Sequence, residues 1–159
     1  MTTDTAQGHL IAVDLDPASL RPSGTFIDAE RSVAVHDLLL DNAFTPEGRT
    51  GGEYRLTLSV ADSSLVFDIA TAGGDPVARQ AMPLAPFRGV VRDYFLIVEA
   101  WQGAHEVARP NLEAIDVGRR GLHNEGATLV RDALSGKVSV DFATARRLFT
   151  LICALHWKG

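Results

Sequence analysis

The chain is short of cysteine, since Cys153 is its only one among 159 residues. A lone cysteine cannot form a disulfide within the chain, which favours a reducing cytosolic setting. Long apolar runs are also lacking: the longest, residues 148–157, is interrupted by Thr150 and His156 and is too short to span a bilayer. The first eight residues carry neither a basic segment nor an apolar run, so we expect no signal peptide. These shortages predict a cytoplasmic protein with no membrane segment.

Positive charge is in deficit as well. Fifteen lysines and arginines face 20 acidic residues, giving a formal net charge of −5. That balance argues against a protein built mainly to bind nucleic acid. With 46% hydrophobic and 22% charged residues, the composition is that of a globular protein. We therefore expect one domain over residues 1–159, with a disordered tail at residues 1–8.

Hydropathy alternates along residues 54–60 and again along residues 65–69, with turn residues between them. Alternation at period two predicts paired strands with one buried and one solvent-exposed face. Further strands are expected at residues 9–15 and 77–82, and a short one within residues 137–140. The sequence therefore predicts a small antiparallel β-meander, which the first strand joins.

Apolar residues recur at helical spacing in four other segments. Asp28 and Asp141 are candidate N-caps, and Pro110 separates two of the helices. The predicted helices span residues 29–44, 87–104, 112–133 and 142–157. Together with the strands they predict an α+β fold: the meander, one N-terminal helix, and a C-terminal three-helix cluster on one face of the sheet.

Residues 116–126, in the third predicted helix, are the most informative segment, because six of the eleven are polar and capable of acid, base or anion chemistry. On a helical wheel Asp116, Arg119, Arg120 and His123 make one polar edge beside the apolar face. In the first interpretation the edge is a binding site: the two guanidiniums bind a phosphate or carboxylate, and His123 is the candidate catalytic acid–base group. In the second interpretation the edge has only a structural role: Asp116 pairs with both arginines, at spacings of three and four residues. Both interpretations stay open.

We predict that this segment binds an anionic small molecule or an acidic protein surface. The candidate ligand-binding residues are Asp116, Arg119, Arg120, His123, Asn124 and Glu125. The preferred function is a cytosolic binding or regulatory module, and the alternative is a small enzyme acting on a phosphorylated or carboxylated metabolite. A site in which His123 carries charge predicts that affinity falls as pH rises past about 6.5.

Other arginines add positive charge to the helical half of the chain. Arg88, Arg92, Arg146 and Arg147 either gather around the polar edge as a basic groove or lie on solvated helix faces. Glycines at 118, 121 and 126 each cost about 1 kcal/mol relative to alanine inside a helix. Their presence indicates close packing, a kink or a break near His123.

Cys153 and His156 lie three residues apart on the last predicted helix, a spacing at which they can share a zinc or iron ion. His36, His105 and His123 are the other histidines placed on or beside apolar faces, where they could complete such a site. One pair is too few ligands for a tetrahedral site, and a cysteine among apolar residues commonly just packs. We therefore predict no metal and no other cofactor, and an unreactive Cys153.

Several segments resemble uncharacterised protein family 0262, a family of alphaproteobacterial proteins of unknown function. They are residues 85–88, 91–95, 113–116, 118–126, 141–142, 144–153 and 155–157. The resemblance runs from His9 to Gly159. It implies a bacterial cytoplasmic setting and carries no established activity.

Overall fold

A computed structural model describes residues 7–20, 25–107 and 112–155 of the chain. The strands are β1 (Gly8–Leu15), β2 (Phe44–Pro46), β3 (Gly52–Ala61), β4 (Ser64–Thr71), β5 (Pro76–Pro83) and β6 (Val138–Val140). The helices are α1 (Thr25–Leu40), α2 (Arg88–Val107), α3 (Leu112–Leu134) and α4 (Phe142–Cys153). The predicted α+β class is confirmed. No helix in these ranges is long and apolar enough to cross a membrane.

The main sheet has the strand order β1-β3-β4-β5. β3, β4 and β5 form the predicted antiparallel meander. β1 joins it as predicted, but it pairs with β3 in parallel, so the sheet is mixed rather than wholly antiparallel. The direction follows from the connection, because α1 and β2 return the chain to the end of the sheet from which β1 started. β1 also begins at Gly8, inside the tail expected at residues 1–8, most of which lies outside the described residues.

The register of β3 is as predicted. Tyr54, Leu56 and Leu58 are at most 2% exposed, whereas Arg55 and Thr57 face solvent. The buried face belongs to one core with residues of all four helices. α3 packs on both α2 and α4, and α1 packs on α4. The C-terminal helices therefore lie together over one face of the sheet, and α1 joins them.

A second, two-stranded sheet was not predicted in full. β6 was expected, but its partner β2 lies in a segment assigned to the end of the first helix and the following loop. α1 instead ends at Leu40, and the Asn42 amide donates to the Leu38 carbonyl at 2.8 Å. The fully buried Phe44 then pairs with Val140. A short buried strand and the apolar end of a helix look alike in sequence, which explains the error.

The helix caps were predicted with mixed success. Asp141 is the N-cap of α4, where its carboxylate accepts from the Thr144 amide at 2.8 Å. Asp28 lies in the first turn of α1 rather than at its N-cap, because that helix begins at Thr25. α4 ends at Cys153, four residues earlier than predicted. Pro110 falls outside the described residues.

Despite its glycines, α3 is continuous from Leu112 to Leu134. Close packing explains Gly126, since a Cβ at this position would clash with the Phe149 ring on α4. A Cβ at Gly118 approaches Ile97 of α2 to 3.2 Å, and one at Gly121 meets nothing within 4 Å. The α3–α4 contact therefore depends on the missing side chain at position 126.

Gly126→Ala is expected to lower the free energy of unfolding by about 1–2 kcal/mol, because overpacking against Phe149 outweighs the gain in helix propensity. Gly121→Ala is the matched control on the same helix, and propensity alone is expected to stabilise it by up to about 1 kcal/mol. Urea unfolding of both variants measures the difference. Equal stability of the two variants would show that α3 and α4 are not packed closely at this point.

Candidate functional site

Arg119, on the side of α3 that faces α1, forms an ion pair with Glu30. The two side chains are 25% and 19% exposed, so the pair is largely shielded from water. The predicted bond from Arg119 to a carboxylate is confirmed, but the partner is Glu30 rather than Asp116. The two residues are 89 positions apart, a separation that helical spacing within α3 does not reveal. The pair ties α1 to α3.

Tyr94 of α2 lies beside this ion pair and is 1% exposed. Burial raises the pKa of its hydroxyl, nearby Cys153 and Glu30 raise it further, and Arg119 partly opposes the shift. The phenol is therefore neutral at physiological pH and lies close enough to Arg119 for the guanidinium to act on it. Glu30, Tyr94 and Arg119 thus form a shielded polar cluster between α1, α2 and α3.

Much of the remaining polar edge faces water. Arg120 pairs with Asp116 at 3.3 Å, and the two side chains are 63% and 51% exposed. This pair is a solvated contact within one helix, of the kind that contributes little to stability. Asn124 and Glu125 are exposed, and the Asn124 carbonyl accepts from the Thr128 hydroxyl at 3.1 Å. The six predicted ligand-binding residues are therefore not gathered in one place.

Unlike these exposed residues, His123 points its side chain into the layer formed by the helices. Its ring lies 5.4 Å from the Tyr94 ring and 6.0 Å from the Phe149 ring, measured between centroids. Its Nε2 atom is 3.5 Å from the Thr150 hydroxyl oxygen. Burial, followed by the charges of Arg119 and Arg146, lowers the pKa of His123 to about 4. The imidazole is therefore neutral at pH 7 in the unliganded protein, and the pH dependence of affinity expected near 6.5 stays a prediction.

A pocket of about 190 Å³ opens beside His123, between α3 and α4. Its other lining residues recur on one face of α4 at spacings of three, four and seven: Ala143, Arg146, Arg147 and Thr150. Within the described part of the chain, no carboxylate lines it. We call it the His123 pocket. Its lining makes it a positively charged recess with hydroxyl and imidazole groups.

The two arginines of the His123 pocket differ in their contacts. Arg147 donates from Nη1 to the Asp41 carbonyl just beyond the end of α1, at 3.0 Å. The Nε atom of Arg146 is buried and makes no hydrogen bond to any described residue. A buried donor without a partner is costly, and no described side chain offsets that cost at Arg146. Arg146 is therefore the side chain best placed to hold a ligand.

The predicted basic groove forms only in part. Arg146 and Arg147 reach the His123 pocket, whereas Arg119 is engaged with Glu30 and Arg120 with Asp116. Arg88 and Arg92 are exposed, and Arg92 lies 3.7 Å from Asp93. The pocket residues of α4 share a spacing that is visible in the sequence. Their approach to His123 is not, because it depends on how α3 packs against α4.

The described residues do not form the metal site considered for Cys153 and His156. Cys153 is 1% exposed in the core, and His156 lies outside those residues. Across the ranges that the structure covers, no three His, Cys, Asp or Glu side chains gather closely enough to hold a metal ion. An unreactive Cys153 stays a prediction.

These features define the class of protein as an α+β protein whose helical layer holds a shielded polar cluster and a positive pocket. Residues 7–158 match the model of the Uncharacterised protein family (UPF0262), and the chain belongs to that family. The function of the family is unknown.

Relatives at high identity are found in several alphaproteobacteria. A UPF0262 protein of Azorhizobium caulinodans is 54% identical over 154 residues, which cover 95% of each chain. One of Xanthobacter autotrophicus is 54% identical over 153 residues, covering 95% of this chain and 93% of the relative. One of Brucella canis is 50% identical over 161 residues and the full length of both chains. No solved structure matches the chain.

Proposed function

We propose that this protein is a cytoplasmic binding module that holds a small anion, or the anionic group of a larger molecule, in the His123 pocket. The observation that carries the proposal is the lining of that pocket, with two guanidiniums, a hydroxyl and an imidazole but no described carboxylate. Guanidiniums bind phosphate and carboxylate groups through paired hydrogen bonds. The pocket volume of about 190 Å³ suits one such group.

Electrostatics supports an anion over a cation or a neutral ligand. Burial is the main cause that lowers the pKa of His123, and the charges of Arg119 and then Arg146 lower it further. Such a site repels a second positive charge and attracts a negative one. A bound anion reverses this effect and stabilises the imidazolium, so binding and protonation of His123 are expected to reinforce one another.

A catalytic role is the alternative, and the geometry favours it less. An acid–base histidine works best with a pKa near the operating pH, whereas that of His123 is about 4. Glu30 is engaged with Arg119 and does not line the pocket. A binding module needs neither a tuned base nor a second carboxylate. The proposal therefore treats His123 as a ligand contact.

The test is a titration with inorganic phosphate at low salt, followed by amide chemical shifts. Shifts are expected at His123 and along residues 143–150, and added salt should weaken binding because it screens the charges. Arg146→Gln is expected to weaken binding about tenfold or more, since a charged hydrogen bond is lost. Arg120→Gln removes the same charge from the solvated pair and should leave affinity nearly unchanged.

Two results would count against the proposal. One is the absence of shifts along residues 143–150 at millimolar phosphate. The other is an equal loss of affinity in the two variants, which would show that phosphate responds to overall charge and not to the His123 pocket.

A further inference from the structure

A second cavity, of about 420 Å³, lies between the C-terminal half of α3 and β6. One face of α3 supplies Thr128, Arg131 and Asp132, and Ser135, the residue after the helix, adds a fourth polar group. The other wall is formed by β6, by the start of α4 and by Glu47, which follows β2. We call this space the α3–β6 cavity. It has its own lining, with no residue in common with the His123 pocket.

The charges that line the α3–β6 cavity have both signs. Arg131 is positive, and Asp132 and Glu47 are negative. Among the ion pairs between described residues, none includes any of these three side chains. Opposite charges thus face one space without neutralising each other. A ligand with a positive and a negative group complements this arrangement, whereas a simple anion or cation meets a like charge.

The rest of the lining is apolar or carries hydroxyls. Val138 and Val140 line the cavity but are almost wholly buried in the core, at 5% and 6% exposed, so Phe142, at 39% exposed, offers most of the apolar surface. Ser135 and Ser139 add hydroxyls that donate or accept hydrogen bonds. An apolar wall beside a few convergent polar groups is the usual form of a small-molecule site.

We propose that the α3–β6 cavity binds a free α-amino acid with an apolar side chain. Arg131 receives the α-carboxylate through paired hydrogen bonds, and Glu47 and Asp132 receive the α-ammonium. The side chain of the ligand packs against Phe142, which withdraws apolar surface of both from water. This site is independent of the anion proposed for the His123 pocket.

The test is calorimetric titration of the full chain with leucine, valine and phenylalanine at low salt. Millimolar or tighter binding of at least one of them is expected. The N-acetyl amide of the same amino acid lacks both charges and is expected not to bind. Arg131→Gln and Glu47→Gln should each weaken binding about tenfold or more, because each removes one charged contact. Arg120→Gln, on the outer side of α3, is the control and should bind as the unaltered protein does.

Three outcomes would overturn the proposal. The first is no binding of the three amino acids at a concentration about ten times the millimolar Kd expected here. The others are equal binding of the N-acetyl amide and unchanged affinity in Arg131→Gln and Glu47→Gln. Circular dichroism of each variant shows whether it is folded. If Arg131→Gln is unfolded, the N-acetyl amide comparison on the unaltered protein still decides the question.

Discussion

Arg119→Ala is expected to lower the free energy of unfolding by about 3 kcal/mol, near the lower end of the range for breaking a buried charge pair. The substitution leaves the Glu30 carboxylate, only 19% exposed, without the guanidinium that compensates its desolvation. It also removes the charge beside the buried Tyr94 hydroxyl. Urea unfolding at pH 7 gives the difference directly.

Arg120→Ala is the matched control for this prediction, because it removes the same side chain from the next position of α3. Its pair with Asp116 is more than half exposed, and its loss should cost less than about 0.5 kcal/mol. The double variant Arg119→Ala with Glu30→Gln should recover part of the loss, since the uncompensated carboxylate is then gone. If Arg119→Ala and Arg120→Ala cost the same, the shielded pair does not hold α1 to α3.

The stability of the protein is expected to fall as pH is lowered from 7 to 4, with His123 as a main cause. Its pKa is about 4 in the folded protein and about 6.5 in the unfolded chain. The His123 imidazole therefore binds a proton below about pH 6.5 in the unfolded chain, but only below about pH 4 in the folded protein. By linkage this lowers the free energy of unfolding by about 2 kcal/mol between pH 7 and 5, and by up to about 3 kcal/mol at pH 4.

His123→Gln separates this effect from the titration of carboxylates, which is common to both proteins. The variant cannot take up the proton at position 123, so its stability should fall less steeply between pH 7 and 5. Urea unfolding at half-unit steps of pH measures both slopes. Parallel slopes for the two proteins would mean that His123 titrates alike when folded and unfolded, and is not shielded.

The sequence predicts local features of this fold well, because periodicity and capping are local. Alternation placed Tyr54, Leu56 and Leu58 on the buried face of β3, and the Asp141 cap marked the start of α4. Features that join distant segments were missed. The parallel pairing of β1 depends on the path of the connection, and β2 becomes a strand only because β6 lies beside it.

The candidate site shows the same division. The polarity of residues 116–126 pointed to α3, but the elements packed on that helix decide what each side chain contacts, and four of the five residues that line the His123 pocket belong to α4. Glu30 takes up Arg119 from 89 residues away, and α4 brings Thr150 to His123 across 27 residues. The wheel placed Arg119 and Arg120 on one edge. Packing then shielded the first with Glu30 and left the second in water with Asp116.

The pKa of the His123 imidazole, measured by NMR with and without phosphate, tests the proposed anion site most directly. We expect a pKa of about 4 in the free protein, because burial and the nearby arginines oppose its charge. Saturating phosphate should raise it by about one unit or more, since an anion between Arg146 and His123 stabilises the imidazolium. A free value near the ordinary 6.5, or a value that phosphate leaves unchanged, would contradict an anion site at this pocket.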